Sequence, residues 1–385
     1  MLGILLVNIH LMRGPDIWRV IAGEAIEPTG TADRVVAALT GWLVAGKFLS
    51  SFALLFGVGA ALIAGRATAA GRRPRRLLVR RYLWLMVFGL AHMVLLFPGD
   101  ILFLYGLAGL LLVLFLDART ATIRGWAIGL VAVPALVASL LAAAGAAVGG
   151  GVTPTTAPSA DPLRSFATAR GDQALAAFVD GSYLDVVVAN AWQAAVVQSS
   201  QLLVLPWVLA LFLVGYLVGR AGWVDDLAAR RPSLERAAAV GLLVGLPLNL
   251  PLAASGPLGT DGPAAEAVVS EPLLAFAVSI AQFVGAPLLA VGYLAAAALV
   301  FLRIGASRPL AAVGRMALSG YLLQSLLALV VFAGLGLYGQ LAMATSLLVV
   351  VAIWLVLLVV STWWTRRFRF GPAEWAWRAL TYRGG

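Results

Sequence analysis

The chain has 385 residues, 62% of them hydrophobic and only 11% charged, with a net charge of +10; a soluble domain carries about 25% charged residues. With no cysteine there is no disulfide, thiolate nucleophile or Cys-ligated metal, and with only two histidines, His10 and His92, a histidine metal cage is also excluded. The basic balance does not point to nucleic acid, because no nucleic-acid-binding motif accompanies it.

Most arginines sit in alternate breaks between long apolar runs: Arg66 to Arg81, Arg119 and Arg124, Arg220 to Arg236, Arg303 to Arg315, and Arg366 to Arg383. The intervening breaks hold Asp16, Glu24, Glu27, Asp33, Asp100, Asp161, Asp172, Asp180, Asp185, Asp261, Glu266 and Glu271. This alternation follows the positive-inside rule and predicts one all-α, polytopic membrane domain over residues 1–385. The basic rims then hold anionic lipid headgroups or an anionic cytosolic ligand. A crossing helix needs about 20 apolar residues, and spans are expected near 1–12, 36–65, 82–98, 100–116, 124–148, 186–219, 237–254, 268–302, 313–333 and 341–364. Ten spans put both termini in the cytoplasm of a bacterial inner-membrane protein.

The first run begins at Met1 with about a dozen apolar residues, fewer than a crossing needs, so upstream residues are expected to be missing. Asn8 and His10 lie at its outer end; Asn8 suits hydrogen bonding between helices, and His10 is close enough to the loop to be solvated. Residues 13–35 form a polar, acidic outer loop. The second span contains Lys47, the chain's only lysine, with Ser50 and Ser51 on the same face at i+3 and i+4. Lys47 either snorkels to the interface or pairs inside a cavity. His92 lies deep in the third span and Asp100 follows across the turn Phe97-Pro98-Gly99. Histidine is suited to moving protons near neutral pH, and a carboxylate beside it can orient the ring.

Residues 149–185 form a second long outer loop, opening on Gly149-Gly150-Gly151, with 163–180 an amphipathic helix on the surface. Asn190, Gln193 and Gln201 make a polar stripe in the sixth span, which Pro206 interrupts. Pro287 makes 268–302 either one tilted helix or a broken pair. Tyr321, Gln324 and Ser325 share a face of the ninth span. Beyond the last span, Pro372 and Glu374 start a short helix whose Trp375 and Trp377 suit the interface or a cytosolic ligand.

Six segments in order carry a resemblance. They are Gly3-Ile4-Leu5-Leu6-Val7-Asn8-Ile9; Lys47-Phe48-Leu49 with Phe52 to Gly57; His92 with Gly99-Asp100-Ile101-Leu102 and Tyr105-Gly106; Arg220-Ala221-Gly222-Trp223; Gly314-Arg315-Met316-Ala317-Leu318 with Tyr321 to Gln324; and Gly371-Pro372, Glu374-Trp375 and Trp377-Arg378. Together they resemble the YeiB family of bacterial inner-membrane proteins (domain of unknown function 418), with residues 220–385 the most family-like part. That family more distantly resembles the heparan-α-glucosaminide acetyltransferase type, which moves acetyl groups from cytosolic acetyl-CoA to a glucosamine across the membrane. The loop histidine of those relatives has no equivalent here, since residues 13–35 contain none.

The resemblance implies an acyltransferase using acyl-CoA or acetyl-CoA, with membrane lipid around it and a small-molecule or glycan acceptor on the outer side. In that reading His92, chosen for its place in a matched segment on the outer side and not from any mapped catalytic position, is the general base, Asp100 orients it, and Lys47 or a serine on its face stabilises the thioester oxyanion. Arg315, Arg378 and Trp375 receive the donor, and Asn8, His10, Ser51, Tyr105, Tyr321 and Gln324 line the cavity. No metal and no nucleic acid are expected, and a homo-oligomer is left open. The competing readings are a secondary transporter for a small polar or anionic solute, built on the same His92, Asp100 and Lys47, and a channel or scaffold subunit.

Overall fold

A computed structural model describes residues 2–22, 24, 26, 28, 30–149, 162–257, 271–305 and 307–382. Most of the Gly/Thr/Pro-rich part of the 149–185 loop, along with Glu27, Asp161, Asp261, Glu266 and Arg383, lies outside them. The described residues contain helices and no strand. The helices are α1 (Leu2–Met12), α2 (Asp16–Ile21), α3 (Thr31–Leu43), α4 (Lys47–Ala69), α5 (Pro74–Leu95), α6 (Leu102–Leu112), α7 (Thr120–Gly149), α8 (Pro162–Val179), α9 (Tyr183–Leu203) and α10 (Leu205–Arg220). There follow α11 (Arg231–Leu243), α12 (Gly245–Leu248), α13 (Leu252–Ser255), α14 (Pro272–Ile280), α15 (Ala286–Ile304), α16 (Arg308–Arg315), α17 (Ala317–Leu329), α18 (Met343–Trp364) and α19 (Pro372–Tyr382).

Among the described residues, six helical stretches are long and apolar enough to cross a membrane, or seven if the bent pair α9 and α10 is one span. Their outward faces are apolar too: Leu83, Val87 and Leu90 on α5 and Leu348, Leu355 and Val359 on α18 are exposed. A helix apolar on every side belongs in lipid. The Leu2–Met12 and Leu102–Phe115 helices are apolar but shorter.

Several spans depart from straight rods at residues that explain the departure. The 186–219 run bends by 59° between α9 and α10, beside Pro206, whose missing N–H cannot continue the ladder. A π-helical turn over Ala281–Gly285 joins α14 to α15 just before Pro287, and another over Val330–Gly334 ends α17. The 36–65 run divides into α3 and α4. Gly46, at φ +77°, supplies the break because a left-handed backbone costs glycine nothing. The 237–254 run is α11 followed by the short α12 and α13, and α13 turns back onto α3.

The core centres on α4, α5, α6 and α10. Helices α4 and α10 touch along their backbones at two glycines. A Cβ on Gly215 would collide with the carbonyl oxygen of Leu54, and one on Gly57 with that of Phe212. Small residues permit such approach where lipid supplies no hydrophobic drive between helices. A second cluster packs α1, α2, α8 and α18 around Trp18, Phe178, Phe332 and Tyr338.

The loop over 13–35 is more structured than its polarity suggests. Asp16 is buried, 2.7 Å from Arg13. Asp33, also buried, accepts a 2.8 Å bond from the Ala344 N–H at the start of α18. The 163–180 segment forms α8 as expected and packs on α2 and α9.

Candidate functional site

His92 sits in the last turn of α5, and the chain returns through Phe97-Pro98-Gly99 to start α6. The turn brings His92 Nδ1 to 2.8 Å from Asp100 Oδ1, both side chains fully enclosed. Asp100 Oδ2 accepts from the Phe103 N–H at 2.8 Å, capping α6, and the Asp100 carbonyl accepts from Gln198 Nε2 on α9 at 2.9 Å. The carboxylate is therefore held from two sides. With Oδ1 accepting, Nδ1 carries the proton, and Nε2 is the ring's basic atom. Nε2 is buried with no hydrogen-bond partner among the described residues.

The imidazole packs against two aromatic rings, Phe97 and Tyr321. The Tyr321 ring leans on His92 with centroids 4.8 Å apart, and its hydroxyl is near the Ile101 backbone and the Asn8 side chain. Gln324, one turn along α17, is wholly buried, and neither end of its amide has a hydrogen-bond partner among the described residues. Asn190 and Gln193 on α9 are buried, with Nδ2 and Nε2 in the same condition. They line a small 20 Å³ cavity together with Phe97 and Ser325. Buried polar atoms are normally paired, with protein groups or with ordered water. His10 is buried on α1 rather than solvated.

A larger cavity of 340 Å³ lies on the other side of Tyr321, within the size range of small-molecule pockets. Its walls are mainly apolar, from Ile4, Phe52, Phe56, Leu85 and Leu102. Tyr105 and Tyr321 line one end; Arg81, Arg315, Glu374 and Trp377 line the other. Arg81 and His92 lie on the same helix, about 16 Å apart at a 1.5 Å rise per residue. The cavity runs along α4 between Ile63 and Phe52 and meets α5 at Arg81, Tyr82 and Leu85; His92 does not line it. Tyr105 donates to the Leu49 carbonyl at 2.6 Å and packs against Phe56 and Phe212. It is a wall of the cavity with its hydroxyl already engaged.

The arginine-rich end is closed by α19. The Glu374 carboxylate accepts from the Leu318 and Ser319 N–H groups at 2.6 and 3.0 Å and from the Ser319 hydroxyl. It thus occupies the N-terminus of α17, where unpaired amides favour an anion. The expected dipole role in its own helix is secondary to this contact across the fold. Trp377 donates to the Arg81 carbonyl at 2.9 Å, and the Arg81 guanidinium lies 3.6 Å above its ring.

The structure redistributes some of the expected site residues. Lys47 does not snorkel: it is fully buried and donates to the Gly41 carbonyl at 2.9 Å, tying the α3–α4 break. Among the described residues it forms no ion pair with Asp100. Ser51 spends its hydroxyl on the Lys47 carbonyl at 2.8 Å. Arg315 lines the cavity, but Arg378 does not; its guanidinium is 4.5 Å from the Phe370 ring. Trp375 is 64% exposed and lies outside the cavity, where Trp377 takes the inner place.

The sequence does not mark Arg81 or Glu374 as site residues, and it offers Trp377 to a ligand only alongside Trp375. Trp377 lies in the carboxy-terminal motif, but alternation alone does not say which tryptophan faces inward. Arg81 closes a basic run and precedes Tyr82, so its position against apolar sequence was a usable signal. The Glu374 contact spans 55 residues and left none.

Comparison with known proteins fits this architecture. A family described as protein of unknown function (DUF418) matches residues 218–384. The chain is 28% identical over 402 residues to the uncharacterized protein YxaH of Bacillus subtilis (strain 168), covering 99% of this chain and 91% of that one. It is 30% identical over 352 residues to the uncharacterized protein YeiB of Escherichia coli (strain K12), covering 88% and 82% respectively. No solved structure matches. With that identity sustained over most of both chains, and its carboxy-terminal part matching the family model, the chain belongs to the YeiB-like DUF418 family of helical, membrane-type proteins.

Proposed function

We propose that this protein is a membrane acyltransferase, taking an acyl group from cytosolic acyl-CoA to a hydroxyl or amine acceptor on the outer side. The observation that carries the reading is the apolar cavity lined by Arg81 and Arg315 as well as Tyr321, with His92, paired to Asp100, in contact with that tyrosine ring. An acyl chain suits the apolar walls, and the exposed Arg315 suits donor phosphate. Acceptor hydroxyls suit the amides of Gln324, Asn190 and Gln193, whose nitrogens have no hydrogen-bond partner among the described residues.

In the transfer, the acceptor oxygen or nitrogen attacks the thioester carbonyl while His92 Nε2 takes its proton. The C–S bond then breaks, and the proton passes to the departing CoA sulfur. Asp100 holds the ring and stabilises the imidazolium formed in between. Tyr321 has to swing from between cavity and imidazole for the reacting groups to meet. Lys47 keeps the break between α3 and α4 in place and is given no contact with the acyl group.

The membrane arrangement belongs to the same proposal. In it, the long stretches with α9–α10 as one span, the shorter helices α1 and α6 and the 237–254 run make ten crossings, with both termini and the arginine-rich end in the cytoplasm of a bacterial inner membrane.

Transport of a small polar or anionic solute is the second reading. It is favoured by the 59° bend between α9 and α10 and by the break before buried Lys47, since transporters build sites at discontinuous helices. Thermal stability of detergent-purified protein separates the two. Acetyl-CoA and a long-chain acyl-CoA should raise the melting temperature, and ATP should not. Equal response to all three, or none, would remove the acyl-donor reading.

A further inference from the structure

Arg72, Arg73, Arg76 and Arg80 surround one recess of 170 Å³ at the start of α5, closed by Leu77 and by Thr381 and Tyr382 from the last turn of α19. The two walls are 300 residues apart in sequence and are joined by Arg80, which donates to the Leu380 carbonyl at 3.0 Å. Arg73, Arg76 and Arg80 follow at helical spacing on one face, an arrangement in which like charges destabilise a helix.

Other arginines at this end have partners. Arg75 is 3.0 Å from Asp117, Arg231 is 2.9 Å from Glu235, and Arg220 donates to Ala118 and Thr120. None of the four recess arginines has a carboxylate within ion-pair distance among the described residues. Topology alone needs basic residues at this level. It does not need them gathered around a concavity whose far wall is supplied by another helix.

The recess and the apolar cavity draw on the same two helices without sharing a lining residue. Arg80 lines one and the next residue, Arg81, lines the other; on α19, Thr381 and Trp377 divide in the same way, one turn apart. We infer that the four-arginine recess binds the phosphate groups of an amphiphile whose apolar tail lies in the apolar cavity. The tail half rests on the acyl-donor reading; phosphate recognition in the recess does not. The same chemistry is offered by a soluble nucleotide thioester and by a phospholipid headgroup. Guanidinium groups are the usual choice for either.

The test uses full-length protein in neutral detergent, titrated separately with inorganic pyrophosphate and with dihexanoyl-phosphatidylglycerol, following heat or fluorescence. Wild type, Arg73→Ala/Arg76→Ala and the control Arg124→Ala/Arg236→Ala are compared; all four side chains substituted are exposed. The expected result is saturable binding that weakens by about tenfold or more in the recess variant and stays within about twofold in the control. Pyrophosphate binding identifies a soluble donor, and binding of the lipid alone identifies a headgroup. No saturable binding of either probe, or equal loss in both variants, overturns the recess site. If pyrophosphate still binds in the recess while acyl-CoA gives no stabilisation, only the transferase reading falls. Acyl-CoA stabilisation unaffected by Arg73→Ala/Arg76→Ala would overturn only the link between the recess and the acyl donor.

Discussion

Nδ1 of His92 lies 2.8 Å from Oδ1 of Asp100 in a setting from which both side chains are fully enclosed. The second carboxylate oxygen is fixed by the Phe103 amide, so the ring is aimed rather than free to turn. If Nε2 is the base of an acyl transfer, His92→Ala should cut turnover by about 10²–10⁴ and leave acyl-CoA stabilisation in place. Asp100→Asn should fall between, and His10→Ala should cost far less. A single-turnover assay with radiolabelled acyl-CoA reads all three. Full turnover in His92→Ala would move the chemistry elsewhere.

Lys47 gives a stability prediction of a different kind. Its Nζ satisfies the Gly41 carbonyl inside the bundle, so Lys47→Met leaves a buried acceptor without a donor. The expected loss is about 1–3 kcal/mol, seen as a lower melting temperature in detergent. Lys47→Arg keeps a donor but brings a larger planar head into a packed site, and should also lower it. Unchanged melting in both variants would mean that the Gly41 contact carries no weight.

The backbone contact of α4 with α10 should be the least tolerant place in the core. Gly215→Val puts a branched side chain against the Leu54 carbonyl, and overpacking of this kind costs about 1–3 kcal/mol or more. Gly129→Val, whose Cβ would meet nothing nearby, should be neutral on the same melting assay. Equal effects would show that the close approach is not a constraint.

The apolar runs, their proline bends and the His92–Asp100 pair could be read from the chain because each is local. Pro206 and Pro287 mark the irregular helices, and His92 and Asp100 are separated by a tight turn. Contacts between distant segments could not be read. The Asp33 cap on α18, the Glu374 cap on α17 and the Arg81–Trp377 stack depend on how helices are arranged, which hydrophobic periodicity does not encode in a chain apolar on all faces. Lys47 shows the middle case: its burial follows from being charged within an apolar run, but its partner depends on the break at Gly46. Residues chosen from motifs alone divided accordingly. Arg315 reached the cavity, while Trp375 and Arg378 fell on the outer face of α19.

Orientation can be tested directly, since the chain has no native cysteine. Asp180 and Arg230 are exposed at opposite ends of the α9–α10 pair. In intact cells, Asp180→Cys should react with a membrane-impermeant maleimide, and Arg230→Cys should react only after lysis. The reverse pattern would invert the topology and place the arginine end of the apolar cavity outside.

Glu374 sets the last expectation, because its carboxylate serves two backbone amides and a hydroxyl on α17 from a helix 55 residues away. Glu374→Gln keeps the shape but removes the charge from a helix N-terminus and loses part of the acceptor capacity. A loss of about 1.5–3 kcal/mol is expected for hydrogen bonds to a charged group. The loss should be local: α19 should detach before the bundle melts, and trypsin should cleave at Arg378 in the variant under conditions that spare wild type. Because Glu374 and Trp377 both line the arginine end of the apolar cavity, acyl-CoA stabilisation should weaken together with α19 docking. Retained protection of Arg378 in Glu374→Gln would mean that the Trp377 contacts hold α19 without the carboxylate.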